Sequence, residues 1–371
     1  MYTIDNIKNA ELYLVKLPLV RAFETSFSVQ KYREALLIRI VSDEASGWGE
    51  CVAGADPYYS YETNTTAIHI ISDYLIPLLF NMQNFTVEDM LNKFDKVRGH
   101  LMAKAAVENA LLDLIARKQE MPLFELIGGR YQKIKSGISL GIKDDIDDLL
   151  QLIEEAVRKK YHRIKIKVKK GKDIEILKIL REQYPELPLM VDANGDYLDS
   201  DLQYLKQFDD FNLMMLEQPL HYNDIYYHSL IQKELQTPIC LDESIKTLND
   251  ARTAIDLGSC KIINIKQGRV GGMVKSKAIQ SFCKKHNIGV WSGGMLETGI
   301  GRSFNLHLQT LPGFTLPGDT SETSRYFNED IVDKSVVLET DGFIKIPTGP
   351  GIGVEIVPEK LERYQIFYKN F

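Results

Sequence analysis

Five residues of two chemical types recur at nearly equal intervals in this chain of 371 residues: Lys167, Asp192, Glu217, Asp242 and Lys266, in steps of 25, 25, 25 and 24. Each acid follows an apolar run, in LMVDAN, MMLEQP and ICLDES. A carboxylate at the end of a buried strand is costly to leave unpaired, so three that converge require a cation or three separate partners. An all-oxygen ligand set suits Mg²⁺, with Mn²⁺ as a substitute. Any one of these acids alone would serve equally well as a helix cap or a lysine's partner. The equal spacing of all three favours a shared cation.

Lys165 and Lys167 lie in RIKIKV, and the period-two alternation of a strand turns both side chains to the same face. Lys169 shares their parity but falls beyond the run, beside Lys170 and Gly171, where a solvated charge is expected. A lysine acting as a base near neutrality must titrate below its usual value of about 10.4. A neighbouring ammonium, Lys165, and a nearby dication would both push it down. The chemistry that uses such a set is removal of a proton from the carbon beside a metal-bound carboxylate, with the cation stabilising the enediolate that forms. Lys266 would then reprotonate the opposite face or act electrostatically.

These residues must be held by a scaffold, and from about Ile134 the chain reads as eight β-rich runs separated by helical stretches. The runs are KSGISLGI near Ser139, RIKIKV, LPLMVDAN, NLMMLEQP, PICLDES, KIINIK, IGVWSGG ending near Gly293 and FTLPGD ending at Asp319. Eight parallel strands with intervening helices imply a closed barrel, whose active site stands on the C-terminal rim. Lys167 and Lys266 would end strands two and six, on opposite sides of the circle, with the acids on strands three to five. Before the barrel, EALLIRIV, the turn SDEASG and the following Trp48–Val52 read as an antiparallel hairpin, and Ala103–Gln119 reads as a helix. After it, VVLETDGFIKIPTGPGIGVEIV returns to strands and turns. We therefore expect an α+β domain over 1–130, a barrel over 131–335 and a segment over 336–371 that rejoins the first domain.

Hydrophobic residues at 44%, charged residues at 26% and a net charge of −6 describe a folded soluble chain with no basic field for nucleic acid. The opening MYTIDNIKNAELYLVK lacks the basic end and apolar run of a signal peptide, so a cytoplasmic protein with no membrane partner is expected. Cys51, Cys240, Cys260 and Cys283 have no CxxC spacing and read as reduced, buried thiols; the seven histidines form no HxH or HxxxH pair and read as structural. GRVGG over 268–272 lacks the full phosphate-loop pattern and reads as a tight βα turn. The sequons at Asn64 and Asn84 carry no meaning in a cytoplasmic protein.

KIK with Lys165 and Lys167, DAN with Asp192 and Asn194, EQP with Glu217, LDES with Asp242 and Glu243, and Lys266 before GRVGG together resemble the muconate-lactonizing branch of the enolase superfamily. GWGECVAG, PLFELIGG, GISLGI and GGMLETGIGR look, more narrowly, like its o-succinylbenzoate synthase and N-acylamino acid racemase group. The resemblance spans nearly the whole chain. It implies a (β/α)7β TIM-like barrel with an α+β capping domain built from the N-terminal region and the C-terminal tail. It implies Mg²⁺ on Asp192, Glu217 and Asp242, supported by Asn194 and Glu243, with Lys167 as general base and Lys266 as electrostatic partner or opposite base. Ser139, Gly293, Met295, Asp319 and Tyr58 would line the substrate site, and loops near Phe23–Phe27 and Gly54–Tyr59 would close over it. KVKKG departs from the group after Lys167, where relatives often carry an acid and a proline.

The expected activity is dehydration of a succinyl-hydroxycyclohexadiene carboxylate in menaquinone biosynthesis, with racemisation of N-acylamino acids as the alternative. A small-molecule carboxylate substrate and a homo-oligomer are expected. In a different class, a lysine ending strand six could form a Schiff base with a carbonyl substrate.

Overall fold

The computed structural model describes residues 2–25, 28–143 and 145–371. Strands β1 (Asn9–Glu24), β2 (Val29–Val41) and β3 (Ser46–Cys51) open the chain as an antiparallel meander. The side chains of β2 alternate between two packed faces. Ala35 and Leu37 join the large apolar core that continues into the barrel, whereas Leu36, Ile38 and Ile40 face a second core against the helices of the cap. The main one of these, α1 (Leu101–Lys118), is buried over nearly all its length. Its close approach explains GWGEC: a β-carbon at Gly47 or Gly49 would fall within the α1 backbone at Ala110 and Ala106.

A short strand β4 (Lys133–Lys135) precedes seven parallel strands, β5 (Gly137–Leu140), β6 (Arg163–Lys167), β7 (Leu189–Asp192), β8 (Leu216–Glu217), β9 (Ile239–Leu241), β10 (Ile262–Ile265) and β11 (Gly289–Ser292). They pair in strict sequence order, β5 to β11. Helices that return the chain between them include α2 (Asp173–Gln183), α3 (Met273–Lys285) and α4, which follows β11 over Gly299–Gln309. The eighth run of the sequence reading is not a strand. It makes a single bridge, Ser136 to Gly318, yet it still closes the ring: Asp319 N–H donates to Ser292 O at 2.8 Å on one side and Gly137 N–H to Gly318 O at 2.8 Å on the other. Pro317 has no N–H to give a ladder and Gly313 and Gly318 flank it, which accounts for the irregular backbone.

The tail divides. Strand β12 (Phe343–Lys345) pairs with β4, while β13 (Gln365–Asn370) adds to β1 as a fourth strand of the cap sheet. The floor of the barrel is filled by Met190, Met215, Cys240, Ile262 and Trp291. Above that apolar layer the interior turns abruptly to charge. No helix among the described residues is long and apolar enough to cross a membrane, and Cys51, Cys240, Cys260 and Cys283 are free and buried.

Candidate active site

The parallel register brings the rim residues side by side, since Lys167 is opposite Asp192 across β6 and β7, and Asp192 is opposite Glu217 across β7 and β8. Asp242 and Lys266 directly follow β9 and β10. All three acids are fully or almost fully buried.

Lys167 Nζ donates to Asp192 Oδ2 at 2.6 Å and to Asn194 Oδ1 at 2.5 Å. Asn194, held at a positive φ of 47°, passes the contact on through Nδ2 to Glu243 Oε1 at 2.8 Å. One layer deeper, Lys165 Nζ reaches Asp319 Oδ2 at 2.8 Å, Glu217 Oε2 at 3.0 Å and Asp192 Oδ2 at 3.3 Å. Its ammonium also stands 4.9 Å from the centre of the Trp291 ring, a cation–π contact. On the far side Lys266 Nζ donates to Asp242 Oδ2 at 2.8 Å and to the Tyr59 hydroxyl at 2.9 Å.

Burial opposes the charge of Lys165, but Asp319, Glu217 and Asp192 outweigh it and hold the ammonium well above its usual range. Lys266 is likewise raised, burial being overcome mainly by Asp242. Burial also opposes ionisation of Asp242, yet Arg269 and Lys266 hold its carboxyl well below the ordinary value. Glu217 goes the other way, pushed up to about 8 by burial and then by the charge of Asp192. Glu243 is pushed up to about 7 by burial and by Asp242, and its Oε2 has no hydrogen-bond partner among the described residues.

Among the described residues no three acidic, histidine or cysteine side chains stand arranged as a ready metal cluster, because lysines and Arg269 take the oxygens of Asp192 and Asp242. The donor chemistry nevertheless fits a hard divalent cation. Asp192, Glu217 and Asp242 offer only oxygen, and the carboxyl of Glu217, raised first by burial and then by the charge of Asp192, would be stabilised in its ionised form by a nearby cation.

Of the expected substrate contacts, Ser139, Met295, Asp319 and Tyr58 line one cavity of about 410 Å³ together with Lys165, Lys167, Lys266 and Asn194. Tyr58 is exposed at its edge. Ser139 Oγ donates to Asp319 Oδ1 at 2.8 Å, so both residues are engaged with the protein itself. Gly293 does not line the cavity but backs Lys266, whose Cε would lie 2.8 Å from any β-carbon there. The Gly54–Tyr59 loop supplies cavity residues, as do Phe23 and Thr25; Ser26 and Phe27 lie outside the described residues.

Several residues of the site escaped the sequence reading. Arg163 is buried in the barrel, paired with Asp319 and stacked 4.6 Å from the Trp291 ring centre. Asn264 Nδ2 donates to Glu217 Oε1 at 2.8 Å. Arg269, within the turn GRVGG, donates to Asp242 Oδ1 and also to the Tyr59 hydroxyl at 3.0 Å. Parity offered the signal for two of them, since Arg163 and Asn264 stand two residues before Lys165 and Lys266. Arg269 had no such signal.

A parallel barrel under an α+β cap, with buried acids flanked by lysines on its rim, is the architecture of a capped-barrel enzyme. Comparison with known proteins narrows this. Residues 9–128 match the mandelate racemase / muconate lactonizing enzyme N-terminal domain and residues 148–360 the enolase C-terminal domain-like family. The chain is 44% identical to an o-succinylbenzoate synthase of Geobacillus kaustophilus over 99% of this chain and 98% of that protein. It is 42% identical to an N-succinylamino acid racemase of Amycolatopsis over 96% of each. A crystal structure of an enolase superfamily member from Listeria innocua superposes with a TM-score of 0.95 at 38% identity, covering 100% of this chain and 99% of that one. The chain belongs to the enolase superfamily, in its o-succinylbenzoate synthase and N-succinylamino acid racemase group.

Proposed function

We propose that this enzyme is a lyase, an o-succinylbenzoate synthase that removes water from 2-succinyl-6-hydroxy-2,4-cyclohexadiene-1-carboxylate by syn elimination. The observation that carries the reading is that Lys167 and Lys266 line one cavity while bonding Asp192 and Asp242 on the rim, in a chain whose similar relatives bear that name. Lys167, as a neutral amine, takes the proton from the ring carbon bearing the carboxylate. The electron pair left behind forms the new ring double bond as the bond to the neighbouring hydroxyl breaks. The same ammonium then returns its proton to the departing oxygen, so water leaves and the base is regenerated. Asp192 and Asn194 fix the Lys167 amine, each through a hydrogen bond. Lys266, kept protonated by Asp242, places a positive charge on the opposite face. A divalent cation held by Asp192, Glu217 and Asp242, Mg²⁺ in our reading, supplies Lewis-acid polarisation of the substrate carboxylate.

Racemisation of N-succinylamino acids is the second reading, favoured by the two lysines on opposite sides of the cavity and by the Amycolatopsis relative. Parallel steady-state assays of both reactions on the purified protein test the assignment. We expect efficient dehydration, and undetectable dehydration beside efficient racemisation would replace the first reading by the second. We further propose the division into a cap over 1–130, a barrel over 131–335 and a returning segment over 336–371, and a cytoplasmic homo-oligomer.

A further inference from the structure

Of the cap cations that line the cavity, Lys16, Lys31 and Arg33, Arg33 is the buried one, and the chemistry above leaves it unused. Arg33 lies on β2, two residues before Ala35 and four before Leu37, so strand parity turns its side chain toward the barrel with theirs. It lines the cavity and is only 4% exposed. Among the described residues neither its Nε nor its Nη2 has a hydrogen-bond partner. A buried guanidinium with idle donors is expensive.

The nearest acid does not relieve it. Glu50 Oε1 stands 3.9 Å from Arg33 Nη2, beyond hydrogen-bond reach. The Glu50 carboxylate is already committed to the start of α4, where it accepts from Thr298 N–H at 3.1 and 3.2 Å, Thr298 Oγ1 at 2.7 Å and Gly301 N–H at 2.9 Å. The other buried acids of the cavity wall are similarly engaged, Glu62 with the amides of Met102 and Ala103 and Glu297 with those of Met295 and the Asn305 side chain. Glu50 thus offsets part of the charge of Arg33 but leaves its donors free for something in the cavity.

We infer that Arg33 is the anchor for a second carboxylate of the substrate, the one at the end of a flexible chain remote from the reacting carbon. The inference rests on the proposed function, because a succinyl group is common to the dehydration and racemisation substrates, and one cationic anchor on the cap serves both. The rim binds the reacting carboxylate and the cap binds the distal one, so the enzyme selects dicarboxylates. A planar guanidinium suits this, since it can present two donors to one carboxylate.

The test is calorimetric titration, in Mg²⁺ buffer, of 2-succinylbenzoate and of 2-butanoylbenzoate, which differs only in ending in methyl where the first has its distal carboxylate. The wild type is expected to prefer 2-succinylbenzoate by about 10- to 100-fold, the range of a charge-assisted hydrogen-bonded pair. Arg33→Met should abolish that preference while changing the Kd of 2-butanoylbenzoate by less than about threefold, a split that loss of a merely structural arginine would not produce. Should Arg33→Met fail to fold, Arg33→Lys carries the test: it keeps a positive charge beside Glu50 and is expected to lower the preference without weakening 2-butanoylbenzoate. Equal weakening of both ligands, or a preference untouched by substitution, overturns the anchor. A wild type that binds both ligands without preference overturns it while leaving the function standing. A wild type that binds neither overturns both.

Discussion

At the scale of single residues the site is a balance of ammonium and carboxylate groups in which Lys165 and Lys167 share Asp192 while Lys266 is held by Asp242. Lys167 is tied to Asp192 and Asn194, Lys266 to Asp242 and Tyr59, and Lys165 to three acids at once. If Lys167 is the base, Lys167→Ala should lower dehydration by about 10²- to 10⁴-fold with an unchanged far-ultraviolet spectrum, and turnover retained near wild type would end the mechanism. Chelation separates the metal reading from the Schiff-base reading at the same scale. EDTA should abolish activity and Mg²⁺ restore it, whereas borohydride with substrate should leave no adduct on Lys266 detectable by mass spectrometry. The acids and lysines were legible in the sequence because equal spacing along βα units converts directly into adjacency on a rim. Arg269 was not, because its role comes from a turn that folds back over Asp242, and no periodicity describes a turn.

At the scale of elements, β2 and β3 are packed on both faces, and the cost of disturbing them follows from what they touch. Gly49→Ala would drive a methyl group into the α1 backbone at Ala106, where only a shift of the helix can accommodate it. A loss of at least about 1–3 kcal/mol is expected, read as a lowered denaturant midpoint with an unchanged slope. The parallel strands were readable as apolar runs ending in polar residues, and their order follows from the rule that consecutive strands of such a barrel neighbour one another. The eighth was misjudged as a strand because FTLPGD has the right position but the wrong donors: Pro317 leaves a gap in any ladder, and the ring is closed by separate bonds of Leu316, Gly318 and Asp319 on either side of it. The split of the tail between β4 and β1 was equally hidden, since nothing in the short run around Phe343–Lys345 names its partner.

At the scale of the molecule, His307 on α4 ties three distant segments together. Its Nδ1 accepts from Phe124 N–H at 3.1 Å, which leaves Nε2 to donate to Ile352 O, also 3.1 Å away. Burial lowers its titration to about 4. The unfolded chain therefore binds a proton that the folded one refuses between about pH 6.5 and 4, so this contribution is intact above that window and fades as pH falls through it. A glutamine can make both bonds without titrating. The wild type should accordingly lose about 2–3 kcal/mol more than His307→Gln between pH 7.5 and 4.5, measured by urea unfolding, and equal losses would show that the ring carries no such penalty. The bonds of Glu50 have a consequence at this same scale. This carboxylate belongs to a cap strand, yet it closes the first turn of a barrel helix, so the cap supplies a part without which α4 has open amides at its start. A chimera that joins this barrel to a cap lacking an acid at that position would carry unpaired N–H groups beside the cavity. Interchange of caps among related barrels is therefore constrained to caps that bring this acid with them.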